Sequence, residues 1–205
     1  MGYFISFEGP DGSGKTTVTQ KVADYLAENY DVIYTREPGG IEISEKIRDI
    51  ILDPNHSEMD DRTEALLYAA SRRQHLTQKI IPALEDNKIV VCDRFIDSSL
   101  AYQGYARGIG MEDVFEINRF AIENYMPDLT IFLDIDPLKG LQRIHGRDKM
   151  DRLELAGDSF HTKVYEGYQE VLKQFPNRIQ VVNADQSEED VFIDVIAIIN
   201  HELQD

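Results

Sequence analysis

A glycine-rich loop between an apolar strand pattern and an amphipathic helix pattern constrains this chain more than any other feature. Residues Gly9 to Thr16, GPDGSGKT, match the spacing G-x-x-x-x-G-K-[ST] in full. The apolar run Tyr3–Phe7 precedes the loop, and the amphipathic stretch Thr16–Asn29 follows it. Glycines let backbone N–H groups turn inward around phosphate oxygens, and the start of a helix adds its positive dipole end. The sequence therefore predicts a strand–loop–helix unit that binds the phosphates of a nucleotide.

Two side chains of this loop and one acidic residue further along the chain have the chemistry to hold a nucleotide with its metal ion. Lys15 is expected to reach the β- and γ-phosphates, and the Thr16 hydroxyl to bind magnesium. The apolar run Ile89–Cys92 delivers Asp93 at its carboxyl end, where ligands bind in open parallel sheets. We predict that Asp93 holds the magnesium ion through water. The alternative is that Asp93 only caps the end of a strand.

The rest of the chain alternates short apolar runs with amphipathic stretches. The runs predicted as strands are Tyr3–Phe7, Val32–Thr35, Ile89–Cys92, Leu129–Leu133 and Ile179–Val182. The stretches predicted as helices are Thr16–Asn29, Ile41–Leu52, a long helix from Asp61 to about Leu84 with a kink or break at Pro82, pieces up to about Tyr125, Leu138–Ile144, Phe160–Gln174 and a last helix from Ser187. Asp61 and Glu64 have the spacing of a capping box at the start of the long helix.

All-apolar strands separated by helices are typical of a parallel sheet that is covered on both faces. We therefore expect one α/β domain over residues 1–205, with a five-stranded parallel sheet and helices on both faces. Residues from about 146 to 156 are charged and lack periodicity, which favours a short mobile lid.

Charge and composition exclude several classes of partner. The formal net charge is −17, whereas nucleic acids and anionic membranes favour basic surfaces, so we expect neither as a partner. No apolar run approaches the roughly 20 residues that span a bilayer, and no basic segment of a secretory signal precedes the first strand. The one cysteine, Cys92, cannot form an internal disulfide, which agrees with a cytoplasmic location. Because Cys92 lies in an apolar run, we expect a buried, inert thiol.

Five arginines decide which anion the crevice above the sheet binds, since charges beyond about 8 Å are largely screened at physiological salt. Arg36 and Arg94 each follow an apolar strand immediately and therefore point into this crevice, where a planar guanidinium suits bidentate contact with phosphate. Arg48, Arg72 and Arg143 lie on helix faces that are able to converge with them. An acceptor that already carries a phosphate needs such neutralisation, because two polyanions must otherwise be pressed together.

Two helical faces have the residue types that read a flat polar ring. Tyr68 and Arg72 are four residues apart and share a face, as do Ser99, Tyr102 and Gln103. An aromatic ring for stacking, a guanidinium donor and an amide are what base recognition requires. The alternative for each face is an ordinary amphipathic helix.

Four segments together carry a resemblance to a known family. They are Phe7–Thr17 (FEGPDGSGKTT), Thr35–Gly40 (TREPGG), Cys92–Phe95 (CDRF) and Ser98–Gly104 (SSLAYQG). With Asp151–Glu154 (DRLE) and Val182–Gln186 (VNADQ), they make the chain similar to bacterial thymidylate kinases over nearly its whole length. The first segment is shared by many families, whereas the second and fourth together are highly specific. The resemblance implies a P-loop kinase fold, transfer of a phosphoryl group from ATP to dTMP to give dTDP and ADP, and a homodimer.

The same resemblance implies roles for individual residues. Tyr68 would stack on thymine, Arg72 and Gln103 would hydrogen-bond its edge, and Tyr102 would crowd the 2′ position of the sugar. The residues implied for dTMP are Asp11, Arg36, Glu37, Arg48, Tyr68, Arg72, Arg94, Ser99, Tyr102 and Gln103. The residues implied for ATP are Gly9, Asp11, Gly12, Ser13, Gly14, Lys15, Thr16, Thr17, Arg143, Asn183, Ala184, Asp185 and Gln186. Asp11 is shorter than the glutamate of many relatives, and Tyr68 replaces a phenylalanine.

Members of this family use a lid arginine where the phosphate loop offers only its lysine. That is the case here, because the third loop position is Asp11, and Arg147 and Arg152 lie in the charged lid segment. One or both are expected to stabilise charge on the moving phosphoryl group together with Lys15 and magnesium, while Arg94 is expected to take part in catalysis by aiming the acceptor. The cofactor is expected to be Mg²⁺, held by Thr16 and Asp93.

Three other functions compete with this interpretation. A kinase for another monophosphate or for a deoxynucleoside is the nearest, but an unphosphorylated acceptor leaves Arg36 and Arg94 without a purpose. A switch GTPase would carry an N-K-x-D motif, which does not occur in the sequence. A nucleotide-binding regulator without chemistry would have no need of lid arginines.

Overall fold

The computed structural model describes residues 2–144 and 151–204, in which five strands form one parallel sheet. The strands are β1 (Tyr3–Glu8), β2 (Val32–Arg36), β3 (Ile89–Asp93), β4 (Leu129–Asp134) and β5 (Ile179–Asn183). Their order across the sheet is β2-β3-β1-β4-β5, and every pairing is parallel. The predicted α/β class and the five-stranded parallel sheet are confirmed. Each strand extends one polar residue beyond its predicted carboxyl end.

Helices connect the strands and cover the sheet. They are α1 (Lys15–Leu26), α2 (Glu42–Leu52), α3 (Asp61–His75), α4 (Ile81–Glu85), α5 (Ile96–Ser99), α6 (Met111–Ile122), α7 (Pro137–Ile144), α8 (Asp158–Gln174) and α9 (Glu188–Glu202). Two π-helical turns, Leu76–Ile80 and Leu100–Ala106, follow α3 and α5, and a 3₁₀ turn, Glu154–Ala156, precedes α8. Within the described residues, none of these helices combines the length and the apolar character that a bilayer crossing requires.

Side chains alternate between the two faces of the sheet, and each face has its own apolar cluster. Phe4, Val90 and Cys92 pack with residues of α4, α6 and α8. Ile5 and Val91 pack on the opposite face with residues of α1 and α9. Because strand side chains point alternately to opposite faces, all-apolar strands require this double cover. Burial raises the pKa of the Cys92 thiol well above its ordinary value, which agrees with an inert thiol.

The helix predicted from Asp61 to about Leu84 is not continuous. It ends at His75, and a π-helical turn joins it to α4. At the end of this turn the Ile81 N–H donates to the carbonyl of Leu76, five residues back. Pro82 has no N–H to donate four residues back, and it lies in the first turn of α4, where this donor is not needed. The break therefore lies a few residues before Pro82.

The cap of α3 also lies one residue before its predicted position. Asp60 Oδ1 accepts hydrogen bonds from the N–H groups of Arg62 and Thr63 at 3.1 and 3.0 Å. Asp60 is extended, which lets its short side chain reach back to the free donors of the first turn. Asp61 is therefore the first helical residue, and Glu64, predicted as its capping partner, is fully buried in contact with other side chains.

Candidate active site

The carboxyl ends of β1, β2 and β3 place the predicted metal and phosphate ligands side by side. Phe7 and Arg36 both lie directly opposite Asp93 in the strand register. The Thr16 hydroxyl donates to Asp93 Oδ2 at 2.6 Å. Oxygen ligands of this kind suit Mg²⁺, which keeps water and phosphate oxygens as its remaining ligands. The pair therefore fits a nucleotide-bound magnesium ion better than a metal ion held wholly by protein, and the described residues contain no cluster of three or more metal-binding side chains.

The phosphate loop wraps around the ammonium group of Lys15. Its Nζ donates to the carbonyl oxygens of Gly9 and Pro10 at 3.0 and 3.3 Å. Burial, with a contribution from the charge of Arg94, lowers the pKa of Lys15 to about 8. The loop also packs against α7, because a Cβ on Gly12 would lie 1.9 Å from the carbonyl oxygen of Gly140. Glycine is thus required at position 12 for close approach as well as for its positive φ of 78°.

A first cavity of about 300 Å³ opens beside this loop. Every residue that the resemblance implied for dTMP lines it: Asp11, Arg36, Glu37, Arg48, Tyr68, Arg72, Arg94, Ser99, Tyr102 and Gln103. Lys15, Thr16 and Asp93 line the same cavity, as do Asp151, Leu153 and Glu154 from the predicted lid. Residues from separate parts of the sequence therefore converge on one space, next to the candidate metal site.

Arg94 is held by the protein on several sides. Its Nη1 donates to Ser98 Oγ and Tyr168 Oη, both at 3.0 Å. Its Nη2 donates to Asp11 Oδ1 at 2.5 Å and to Tyr102 Oη at 3.3 Å. The backbone φ of Arg94 is 69°, an uncommon value for a residue with a side chain. Such strain persists only where the surroundings determine the conformation, and this is common at functional sites.

Glu8, which the sequence did not identify, determines the backbone after Arg94. Its carboxylate accepts hydrogen bonds from the N–H groups of Phe95 and Ser98 at 2.7 and 3.2 Å. It also accepts from Ser98 Oγ at 2.6 Å and from Tyr168 Oη at 2.9 Å, the two groups that contact Arg94. Burial, with a contribution from Asp97, raises the pKa of Glu8 to about 7.

Asp11 lies between Arg94 and Tyr102 at the side of the first cavity. Its Oδ2 accepts a hydrogen bond from Tyr102 Oη at 2.8 Å. Burial would raise the pKa of Asp11, but the charges of Arg94 and Lys15 outweigh it and hold the pKa below its ordinary value. Asp11 therefore stays ionised and fixes both Arg94 and Tyr102.

Arg72 is only 2% exposed, and its guanidinium is almost fully occupied. Nε donates to Glu37 Oε2 at 2.7 Å, and Nη2 donates to the carbonyl of Phe95 at 3.0 Å. Nη1 donates to Ser99 Oγ at 3.1 Å and also to Asn118 Oδ1. The structure thus places Ser99 as an acceptor for Arg72, and Asn118 is a further partner that the sequence did not identify.

Glu37 was implied for binding of dTMP, but its two oxygens contact protein groups here. Oε2 pairs with Arg72, and Oε1 lies 3.0 Å from His75 Nδ1. His75 Nε2 lies in turn 2.6 Å from the Thr35 hydroxyl. This buried chain fixes Arg72, and a direct contact of Glu37 with dTMP stays a prediction.

The remaining cavity residues are held less tightly. Arg36 is 46% exposed and pairs with Glu45 at 3.0 Å. Arg48 donates to the carbonyl of Pro38 at 2.9 Å. Tyr68 lies at the cavity wall, where burial raises the pKa of its hydroxyl. An incoming phosphate is therefore able to replace weak contacts at Arg36 and Arg48.

Gln103 and Arg152 meet at one buried carboxylate, Glu64. Gln103 Nε2 donates to Glu64 Oε1 at 2.9 Å, and Arg152 Nη2 binds Glu64 Oε2. Arg152 Nε also donates to the carbonyl of Ile51 at 2.7 Å. Arg152 thus contacts Glu64 instead of lining the cavity, and Arg147 lies outside the described residues. The roles of both as charge-stabilising arginines stay predictions.

A second cavity of about 350 Å³ lies on the other side of the phosphate loop. The residues implied for ATP that line it are Gly12, Ser13, Gly14, Thr17, Arg143, Ala184 and Gln186. Asn183 and Asp185 do not line it: Asn183 Oδ1 accepts from the Asp185 N–H at 2.9 Å and shapes the loop, while Asp185 pairs with Lys139. Because Gly12, Gly14 and Thr17 line both cavities, the two spaces meet at the phosphate loop.

The sequence did not predict the buried polar residues that contact the cavity side chains. Glu64 precedes Tyr68 by four residues and Arg72 by eight, so helical spacing would have placed it on the same helical face as these two residues. Asn118 and Tyr168 come from distant helices, and no spacing along the chain links them to the residues they contact.

Comparisons with known proteins agree with this geometry. The family model described as thymidylate kinase matches residues 7–195. A thymidylate kinase of Oceanobacillus iheyensis is 58% identical over 97% of this chain and 90% of the relative. One of Anoxybacillus flavithermus is 59% identical over 96% of this chain and 95% of the relative. The crystal structure of a thymidylate kinase from Ehrlichia chaffeensis superposes with a TM-score of 0.81 at 35% identity, over 98% of this chain and all of that one. The chain belongs to the thymidylate kinase family.

Proposed function

We propose that this chain transfers the γ-phosphoryl group of ATP to dTMP and releases ADP and dTDP, a step in dTTP synthesis. One observation carries the proposal: two cavities meet at the phosphate loop, one lined by the residues implied for dTMP and one by most of those implied for the purine nucleotide. A thymine nucleotide in the first and ATP in the second would bring their phosphates together at Lys15.

Alignment and charge stabilisation are the main tasks of the protein in phosphoryl transfer. The phosphate of dTMP is deprotonated near pH 7, so no general base is needed to generate the nucleophile. Lys15 would bind the β- and γ-phosphates, and Arg94 would hold the acceptor phosphate in line. Mg²⁺, held by Thr16 and Asp93, would neutralise charge on the phosphate oxygens when bound.

Arg36 and Arg48 would complete the acceptor-phosphate site opposite Arg94. Tyr102 stands beside Asp11 and Arg94, so it would lie against the deoxyribose and leave little room for a 2′-hydroxyl. Tyr68 would stack on the base, with Arg72 and Gln103 at the base edge.

We further propose that the chain acts as one domain and that residues 146–156, of which 151–156 are described, act as a lid. Arg147 or Arg152 would stabilise the transition state when the lid closes. Arg152 would have to leave Glu64 to do so, because Glu64 and the Ile51 carbonyl hold its guanidinium here. Closure would exclude water and limit hydrolysis of ATP.

We also propose a cytoplasmic homodimer. Four apolar side chains stand exposed on neighbouring helices: Ile43 and Ile50 on α2, Leu66 on α3 and Phe120 on α6. Phe120 is 87% exposed. A second copy covering this face would remove that apolar surface from water.

An assay of ADP formation with dTMP, dUMP, dCMP, dGMP and thymidine tests the reaction. We expect dTMP to be used best and thymidine, which lacks the phosphate, to be used hardly at all. Arg94→Ala should raise KM for dTMP about tenfold to a hundredfold, as expected for a lost hydrogen bond to a charged group. The Kd for ATP should change little.

Lys173→Ala, on the exposed side of α8, is the matched control and should leave both values unchanged. Efficient use of thymidine would refute the phosphate-directed role of the arginines. An equal loss of ATP affinity in Arg94→Ala would refute the assignment of Arg94 to the acceptor.

A further inference from the structure

We infer that Glu64 is a positioning residue: it turns the Gln103 amide so that the carbonyl oxygen faces the base, and so selects bases that present an N–H beside a carbonyl. The inference rests on the proposed function, because it concerns how the same acceptor cavity distinguishes one pyrimidine from another.

The surroundings of Glu64 fix its charge. It is fully buried, and its oxygens accept from Arg107 Nε at 3.3 Å and Arg107 Nη2 at 3.1 Å. Arg152 Nη2 binds the same carboxylate. A buried carboxyl group whose oxygens both accept from guanidinium groups is ionised, because a proton on either oxygen would compete with one of these charged donors. Glu64 is therefore a hydrogen-bond acceptor only.

An acceptor-only partner determines which way an amide points. Gln103 Nε2 lies 2.9 Å from Glu64 Oε1, and only the NH₂ end of the amide is able to donate there. The opposite orientation would set the Gln103 carbonyl oxygen against an ionised carboxylate. Gln103 also lines the first cavity, and among the described residues no other group hydrogen-bonds its amide. Its carbonyl oxygen is thus left as an acceptor for the base.

Arg72 supplies the complementary donor. A guanidinium has five N–H groups, and four of them are taken by Glu37, Ser99, Asn118 and the Phe95 carbonyl. One N–H on Nη2 remains. The base end of the cavity therefore offers one donor from Arg72 and one acceptor from Gln103.

This pair matches the O4 and N3–H edge of thymine or uracil. Cytosine presents the reverse pattern, an N4 amino donor and an N3 acceptor, so both of its contacts would be repulsive. Guanine presents O6 beside N1–H and shares the thymine pattern, so this arrangement alone does not reject guanine. The selection is thus one between pyrimidines, and it depends on the carboxylate of Glu64 although that group does not touch the base.

Glu64→Gln tests the inference, because an amide at position 64 is able to donate to Gln103 and let the Gln103 amide turn over. The kcat/KM values for dTMP and dCMP are measured for wild type and variant. We expect the ratio of dTMP to dCMP to fall about tenfold or more, the effect of one misdirected hydrogen bond. The KM for ATP should change little.

Arg107→Met is the control for a merely structural role. It removes an ion pair from Glu64 but leaves the contact with Gln103, so the ratio should stay at its wild-type value. An unchanged ratio in Glu64→Gln, or an equal fall in Arg107→Met, would overturn the inference. Failure of the wild type to phosphorylate dTMP would instead overturn the proposed function.

A measurement on the wild-type chain covers the case in which Glu64→Gln does not fold. The Gln103 side-chain NH₂ signal, assigned by its loss in Gln103→Leu, is followed by NMR during titration with dTMP. We expect it to move little, because the NH₂ group contacts Glu64 with or without the nucleotide. A large shift on binding would show that the NH₂ group faces the base, and would overturn the inference.

Discussion

Replacing Gly12 by alanine should destabilise the chain much more than the same change at Gly14. Both glycines belong to the phosphate loop and have similar positive φ values, 78° and 84°. A Cβ at position 12 would lie 1.9 Å from the oxygen, 2.5 Å from the carbon and 2.8 Å from the Cα of Gly140. A Cβ at position 14 would meet nothing within 4 Å. The two variants therefore share the backbone strain and differ in the collision with α7.

The expected losses of stability follow from the backbone strain and from the collision. An alanine in the left-handed region costs about 1–2 kcal/mol, and this applies to both variants. The collision at position 12 is with backbone atoms, which no side-chain rotation relieves, so the loop or α7 must move. Overpacking of this kind costs typically about 1–3 kcal/mol more. We expect Gly12→Ala to lose this additional amount relative to Gly14→Ala.

Urea unfolding of the two nucleotide-free variants measures the difference directly. Equal slopes against urea would show that the unfolded states are comparable, so that the midpoints report stability. Similar unfolding free energies for both variants would refute the reasoning, because they would show that the loop and α7 are not in tight contact. A fall in stability only for Gly14→Ala would refute it as well.

Three further predictions concern buried and exposed groups. The unfolding free energy of the wild type relative to Glu8→Gln should fall by roughly 1.4 kcal/mol per pH unit as the pH rises from 4.5 to about 7. The reason is that the folded chain holds the Glu8 proton, which the unfolded chain has lost in this range. Urea unfolding of both proteins at several pH values measures the difference, and a difference that does not change with pH would contradict the prediction. Asn118→Leu should lower the free energy of unfolding by about 1–3 kcal/mol, since it leaves a buried N–H of Arg72 without an acceptor. It should also raise KM for dTMP more than KM for ATP, and equal changes in both KM values would count against it. Phe120→Ser should yield monomers in sedimentation velocity without loss of secondary structure, and an unchanged dimer would place the interface elsewhere.

The strands and the phosphate loop were predictable because their signals are local. Ile89–Cys92 is a buried apolar run and Val32–Thr35 is a largely half-buried one, and each is followed by a polar residue that stays in the strand pairing. An apolar run identifies a buried strand but not the polar residue that closes it, so each predicted strand stopped one residue early. The motif around Lys15 is equally local, because glycines at fixed positions follow directly from phosphate geometry.

The π-helical turns and the buried carboxylates were not predictable in this way. The turn Leu100–Ala106 places Tyr102 and Gln103 on the cavity wall, but its widened hydrogen-bond pattern leaves no distinct composition in the sequence. Glu64 was predicted only as a capping partner, and its contacts with Arg107 and Arg152 come from distant parts of the chain. These contacts join residues of different elements, so spacing along one helix does not predict them.

The strongly acidic composition and the affinity for two anions are reconciled by how the cavity arginines are paired. Arg36, Arg72 and Arg94 each form an ion pair with one carboxylate, that of Glu45, Glu37 and Asp11 respectively. Such pairing fixes guanidinium geometry before a ligand arrives, so less conformational entropy is lost on binding.

Among the described residues, Arg48 alone of the four cavity arginines has no carboxylate within ion-pair distance, and it contacts the Pro38 carbonyl instead. A phosphate dianion therefore meets one unneutralised cation, Arg48, and one exposed, weakly paired cation, Arg36. The buried pair of Arg72 with Glu37 would stay intact, and the one remaining N–H of Arg72 would serve the base in the proposed function. In the proposed function the same residue type would thus serve the phosphate at one end of the cavity and the base at the other, and the most deeply buried ion pair, Arg72 with Glu37, would lie at the base.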